Sequence, residues 1–271
     1  MPKSLFLFLS MLLFGTLHAQ EAFRVPASFQ AIGDASVNIS SPLSVFSNPA
    51  GIAGQTHTSL GVQYEQRFQL KALRTASGFL VFPIHRSTFG LVVSQFGQGS
   101  WKENLFSIAV AKQLSSRFSL GITLHYFDLF LAENRDHLGT YAADLGIQYQ
   151  MPNEFRAGFQ LFNPYSNQAK TLNLTFRYPT TLRAGIQKLF EETLLLAFEC
   201  RKVGGKPVEI RCGMDYKIRE QLQLRMGIDS RTAILSLGVG YLLDGFQTDL
   251  TFSYHQYLGY SPSFSIYYQL P

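Results

Sequence analysis

Tryptophan, cysteine and charge are all scarce in this chain. It has one Trp and two Cys in 271 residues, and only 15% of its residues are charged, against about 25% in an ordinary soluble domain. Two cysteines, Cys200 and Cys212, make neither a disulfide scaffold nor a zinc site. The positive residues behind the net charge of +5 are dispersed among acids with no basic block or stripe, so nucleic acid is not an expected partner. Beyond the first residues, no run approaches the ~20 apolar residues of a membrane-spanning helix. The histidines His57, His85, His125, His137 and His255 are scattered, and no Gly-x-Ser-x-Gly elbow accompanies them. No catalytic, metal-binding or cofactor-binding residue is therefore assigned, and an enzyme is not expected.

The first residues read as a targeting segment. Lys3 supplies a short positive region, Leu5 to Leu17 an apolar run, and Ala19 a small residue at the cut. Residues 1–19 are expected to be a cleaved signal peptide, leaving Gln20 as the new N-terminus. No Cys follows the cut, which argues against a lipid anchor.

What is abundant is alternation. Leu194, Leu196, Phe198 and Cys200 fall on one face, and Leu195, Ala197, Glu199 and Arg201 on the other. Val208, Ile210, Cys212 and Met214 oppose Glu209, Arg211, Gly213 and Asp215. Leu222, Leu224, Met226 and Ile228 oppose Gln223, Arg225, Gly227 and Asp229. A period of two places one face in apolar and the other in polar surroundings. A β-sandwich with half-buried sheets is one reading. However, the polar face is crowded with small and charged residues, and the other with large apolar ones. That is the arrangement of a transmembrane β-barrel with a lipid-facing exterior and a polar lumen. Residues 57–271 are read as an all-β antiparallel barrel of about fourteen strands, with Glu199, Arg201, Glu209, Arg211, Asp215 and Arg225 as lumen charges. Leu131–Thr140 and Asn163–Thr180 read as longer outer loops, and the opposite connections as short periplasmic turns, with both chain ends in the periplasm. Outer-membrane lipid is the implied environment. At the Val203–Pro207 hairpin, either Cys200 faces Cys212, or Glu199 faces Arg211 and Arg201 faces Glu209. The second register pairs opposite charges and is the expected one.

Residues 20–56 do not alternate. They are rich in Ala, Ser, Gly and Pro and carry the turn signal Asn48-Pro49-Ala50-Gly51. A plain periplasmic extension is one reading; a hatch packed into the barrel mouth over Phe29–Ala53 is the sharper one.

The run Asn48-Pro49-Ala50-Gly51-Ile52-Ala53 leading directly into a first strand resembles the PorV/PorQ family. So does the stretch Tyr178-Pro179-Thr180-Thr181-Leu182-Arg183-Ala184-Gly185 opening a later one. These are Bacteroidetes outer-membrane barrels of the long-chain fatty-acid transporter (FadL-like) type. The resemblance implies a fourteen-stranded barrel with an N-terminal hatch in the bacterial outer membrane. It further implies an accessory role in type IX protein secretion, with secretion-machinery or cargo proteins as partners. The alternative it implies is transport of a hydrophobic small molecule. Where members often carry acidic residues before Asn-Pro-Ala, this chain has Ser40-Ser41-Pro42.

Overall fold

A computed structural model describes residues 25–99, 101–132, 136–170, 175–230 and 233–271. The signal-peptide reading falls on residues outside these. Among the described residues sixteen strands follow one another. The first seven are β1 (Ser59–Gln66), β2 (Arg74–Ile84), β3 (Ser87–Gln98), β4 (Trp101–Gln113), β5 (Phe118–Leu131), β6 (Asp136–Gln150) and β7 (Phe155–Phe162). After them come a small pair, β8 (Gln168–Lys170) and β9 (Thr175–Arg177). The last seven are β10 (Thr181–Phe190), β11 (Leu194–Val203), β12 (Val208–Arg219), β13 (Leu222–Asp229), β14 (Ile234–Leu243), β15 (Phe246–His255) and β16 (Gly259–Gln269).

All but β8 and β9 join one closed antiparallel barrel of fourteen strands, each paired with its sequence neighbours and closed by β1 against β16. Closure leaves no open edge, as a sheet in lipid requires. The exterior is apolar and exposed: Leu124 is 64% and Ile108 63% accessible. The lumen face is buried and largely polar, including Glu199, Arg201, Glu209, Thr251 and Ser265.

The two ends of the barrel differ. At the end holding the start of β1 and the finish of β16, the connections are tight. Asn153-Glu154, Glu191-Glu192 and Asp244-Gly245 each place two successive residues at positive φ. That mirror-image turn matches the twist of the flanking strands. The other end carries the longer loops. There the sequence reading of Leu131–Thr140 as a loop needs correction. Leu129 pairs with Leu138 and Phe130 with His137, so β5 and β6 run on to Leu131 and from Asp136. Leu129 and Leu138 are buried in the lumen with Trp101 and Leu131 packed on them, and that burial extends the strand pairing to Leu131 and Asp136. The 163–180 connection carries β8 and β9 as its own hairpin.

At the Val203–Pro207 hairpin the register sets Glu199 opposite Arg211 and Arg201 opposite Glu209. Cys200 lies opposite Ile210 and Cys212 opposite Phe198, and both thiols are free.

Residues 25–53 lie inside the barrel as a short helix, α1 (Ala27–Ala31), and two short 3₁₀ segments at Pro42–Phe46 and Pro49–Ile52. Almost every residue from Ala27 to Ile52 is buried. One side of this segment contributes Phe29, Ile32, Leu43, Val45, Phe46 and Ile52 to an apolar core completed by wall residues such as Phe79, Val81, Val92 and Tyr267.

Candidate functional site: the lumen and the segment it encloses

The enclosed segment is shaped by local rules before any wall contact. Asn48 precedes Pro49, whose fixed φ suits the first position of a helical turn. The Asn48 Oδ1 accepts from the Ala50 amide at 3.0 Å and closes that turn. Ser44 Oγ accepts from the Ser41 amide and donates to the Ile39 carbonyl. Gly33 and Asp34 both sit at positive φ, and this reversal turns the amides of Ser36 and Val37 toward the wall.

Those two amides meet a carboxylate. Glu199, wholly buried on β11, accepts from Ser36 N at 3.0 Å and from Val37 N at 2.9 Å. The same carboxylate is held by Arg183 of β10, through Nε at 2.7 Å and Nη2 at 2.9 Å. Arg183 spends its remaining donors on Ser47 Oγ, Ser36 Oγ, the Asp34 carbonyl and Gln160 Oε1. The planar fork of arginine suits it to bridge a carboxylate and several hydroxyls at once. Three amide side chains complete the attachment. Asn48 Nδ2 reaches the carbonyls of Val37, Ile147 and Phe159. Gln148 donates to the Val37 and Ile39 carbonyls. Gln160 donates to the Ser47 carbonyl and to Asp144. On the far wall, Thr251 Oγ1 donates to the Ala27 carbonyl at 2.7 Å.

The wall makes room by giving up side chains. A Cβ on Gly146 would lie 1.9 Å from Asn48 Oδ1, closer than any real contact permits. Gly121 stands directly across from Gly146, and Gly213 from Gly227, so paired bare patches face the enclosed backbone. Pro49, Ala50 and Gly51 lie along this glycine-lined wall, with Gly51 packed on Ser44 and the Ile39 carbonyl.

The remaining lumen charges form one belt. Arg201 pairs with Glu209 at 3.3 Å, and Arg211 with Asp229 at 2.9 Å and with Glu209 at 3.4 Å. Arg225 pairs with Asp215 at 2.7 Å and also with Asp249 and Gln223. Of the charges singled out in the sequence, Glu199 hydrogen-bonds the enclosed segment directly through two backbone amides. Arg211 approaches Asp34 at 3.8 Å; for Arg201, Glu209, Asp215 and Arg225 the contacts above are to wall residues. The sequence reading did not single out Arg183, Gln148 or Gln160 as contacts of that segment. The two glutamines share the lumen face with glycine in the alternation, and Arg183 sits in the Tyr178–Gly185 stretch. Both signals marked the face and neither marked the contact.

Toward the long-loop end the lumen changes character. Leu105, Phe127, Ala142, Phe162 and Tyr178 form a second buried apolar cluster. Next to it, His125 Nδ1 lies 2.8 Å from Ser107 Oγ, and its Nε2 lies 3.9 Å from Asp144 Oδ2. His255 plays a different part: its Nδ1 accepts from the amides of Tyr257 and Leu258 at a turn. A crevice lined by Val25, Ala27, Gln63, Thr75 and Ser263 among others is too narrow to seat a water molecule.

Comparison with known proteins places the architecture. No protein-family model matches the sequence, and no curated protein does. Solved structures do match in fold. The P. putida toluene transporter TodX superposes with a TM-score of 0.69 at 12% identity, covering 92% of this chain and 99% of that one. The CymD monoaromatic hydrocarbon channel gives 0.66 at 14% identity, with 92% and 99% covered. A Pseudomonas aeruginosa FadL homologue gives 0.66 at 14% identity, with 90% and 98% covered. The fold is thus that of FadL-like outer-membrane barrels.

Proposed function

We propose that this chain is an outer-membrane conduit for small hydrophobic molecules, with residues 20–56 as its hatch. The supporting observation is the division of the lumen. A latched segment with its own apolar core fills one part, and a separate aromatic cluster around Phe127, outside that core, lies toward the long loops. A barrel that only had to be plugged has no need of a buried aromatic surface there, whereas hydrophobic ligands are held by apolar and aromatic linings with few polar groups. The proteins TodX and CymD, described as a toluene transporter and a monoaromatic hydrocarbon channel, share the architecture. In this reading the short turns face the periplasm, the apolar exterior meets outer-membrane lipid, and residues 1–19 are removed on export. The test is uptake of dilute radiolabelled toluene by a Gram-negative host deleted for its own hydrophobic channels. Expression of the chain should raise the uptake rate several-fold; an unchanged rate sinks the proposal.

One observation favours a second reading, an accessory barrel of type IX protein secretion of the PorV/PorQ kind. The hatch is tied to the wall by a buried ion pair and several amide side chains, and the crevice beside Val25 admits no water. A barrel locked this way suits work at its rim. Gentle extraction followed by mass spectrometry of bound proteins and bound lipids separates the two. Secretion components in stoichiometric amount support this reading, and a bound hydrophobic molecule supports the first.

A further inference from the structure

The aromatic cluster toward the long-loop end is unusual in what it places against apolar rings. Four strands contribute one patch of lumen wall. Leu105 lies across from Phe127, Ser107 from His125, and Asp144 from Phe162. The ring of Tyr178, from the end of the 163–180 connection, stacks on Phe127 with centroids 4.0 Å apart and planes 24° from parallel. Phe162 stands edge-on to both His125, at 5.6 Å, and Phe127, at 6.5 Å. The Tyr178 ring therefore lies flat on Phe127 in a cluster completed by Phe162, Leu105 and Ala142, the position an aromatic ligand would take by stacking.

The polar side of this slot is unsatisfied. The Asp144 side chain is 3% exposed, and its Oδ1 has no hydrogen-bond partner among the described residues. His125 Nε2 has none either, and it sits 3.9 Å from the Asp144 carboxylate, too far for a hydrogen bond between them. Buried polar atoms without partners are costly and rare in folded proteins. Ser107 Oγ lies on Nδ1, and a hydroxyl donating there leaves the imidazole proton on Nε2. Asp144 Oδ1 and, in that tautomer, His125 Nε2–H are thus left without partners beside the aromatic cluster, while the other carboxylate oxygen, Oδ2, accepts from Gln160 and lies 3.9 Å from Nε2. A phenolic hydroxyl satisfies both, donating to the carboxylate and accepting from Nε2–H.

We propose that this corner binds a single-ring aromatic molecule bearing a hydroxyl group, and that the Tyr178 ring holds the ring position until such a ligand displaces it. The inference rests on the conduit reading above and narrows its substrate class. The backbone of Tyr178 is fixed by Asn163, whose Nδ2 donates to its carbonyl at 2.6 Å, so displacement is a rotation of the side chain with the connection in place.

The test uses the full chain in detergent, titrated with p-cresol and with toluene, which differ by one hydroxyl. Binding is read by calorimetry and by the fluorescence of the single Trp101, which packs on Phe96 and beside Leu129 and Leu138. Wild type should bind p-cresol about 10- to 100-fold more tightly than toluene, the range for a hydrogen bond to a charged group. His125→Phe keeps a ring and should abolish that preference, as should Asp144→Asn if the first variant does not fold. Tyr178→Ala should tighten binding of both ligands. Equal affinity in wild type, or a preference that survives both polar substitutions, overturns this inference and leaves the conduit reading standing. Binding of neither ligand to wild type or to Tyr178→Ala removes both.

Discussion

The hatch latch gives the sharpest quantitative expectation. Glu199→Gln keeps the shape of a wholly buried side chain but removes its charge and presents an NH₂ where the amides of Ser36 and Val37 also donate. Breaking one partner of a buried ion pair costs about 3–5 kcal/mol. Arg183 keeps its hydrogen bonds to Ser47, Ser36 and Gln160, which favours the lower end, about 3 kcal/mol. The lost hydrogen bonds to the two amides belong to the same network and do not add independently. The loss falls on docking of the segment, since Glu199 joins it to the wall. At about 1.4 kcal/mol per factor of ten, opening of the segment should become roughly 100-fold more frequent. Hydrogen–deuterium exchange of the detergent-solubilised barrel, read by mass spectrometry, measures this. Peptides spanning residues 33–39 should exchange about 100-fold faster, with those of β4 to β6 unchanged. Unchanged exchange in the segment refutes the latch. Equal acceleration across the wall shows instead that Glu199 supports the barrel.

Other perturbations test other parts. Gly146→Ala places a carbon 1.9 Å from Asn48 Oδ1 and should speed thermolysin cleavage within residues 25–58; Gly205→Ala, with nothing within 4 Å of the new carbon, should not. Leu196→Arg and Leu237→Arg, both on the exposed outer face, should each cost about 2–4 kcal/mol if near the bilayer midplane. A loss of the heat-sensitive gel shift of the folded barrel would show it, and normal folding of both would mean the faces are wrongly assigned. Cys200 and Cys212, each paired to a non-cysteine neighbour, should both be alkylated under non-reducing denaturation, and a linked peptide pair in mass spectrometry would refute that register. A tag at Asn167 should be accessible on intact cells and a C-terminal tag hidden; the reverse pattern would invert the barrel.

The barrel was legible because its wall repeats one simple rule. Alternation in Leu194–Arg201 and Val208–Asp215 survives in the structure as exposed Leu196, Phe198, Val208 and Ile210 against buried Glu199, Arg201, Glu209 and Arg211. Charge pairing was enough to choose between the two registers at Val203–Pro207, because both candidates kept the faces and only one separated like charges. The 131–140 hairpin misled because local polarity at Glu133 to His137 reads as a loop, whereas burial of Leu129 and Leu138 against Trp101, which comes from another strand, decides the pairing. The lumen contacts were out of reach for a related reason. Asn48 reaches Ile147 and Phe159, and Arg183 reaches Ser36 and Ser47, across separations of 99 to 147 residues. Periodicity reports which way a side chain points and says nothing about what stands opposite. The aromatic slot joins residues of β4 to β7 with one from the 163–180 connection, and no local pattern announces such a meeting.

Enclosing the first part of the chain inside a wall made by the rest has a consequence for the order of assembly. The segment precedes β1, so it is the first of these residues to be synthesised and exported. Its partners lie far downstream: Ile147 is 99 residues beyond Asn48, Glu199 is 163 beyond Ser36, and Thr251 is 224 beyond Ala27. Contacts of such separation are slow to form, because the chain entropy of closing each long loop is lost before the contact rewards it. The earliest residues must therefore wait, their apolar side chains uncovered, until strands from β3 to β15 stand around them. Meanwhile the β1–β16 seam sets the last moment at which they can be taken in from the side. Once that seam zips, entry from the side is closed, and the hydrogen bonds from Ser36 and Val37 to Glu199 form only with the segment already inside.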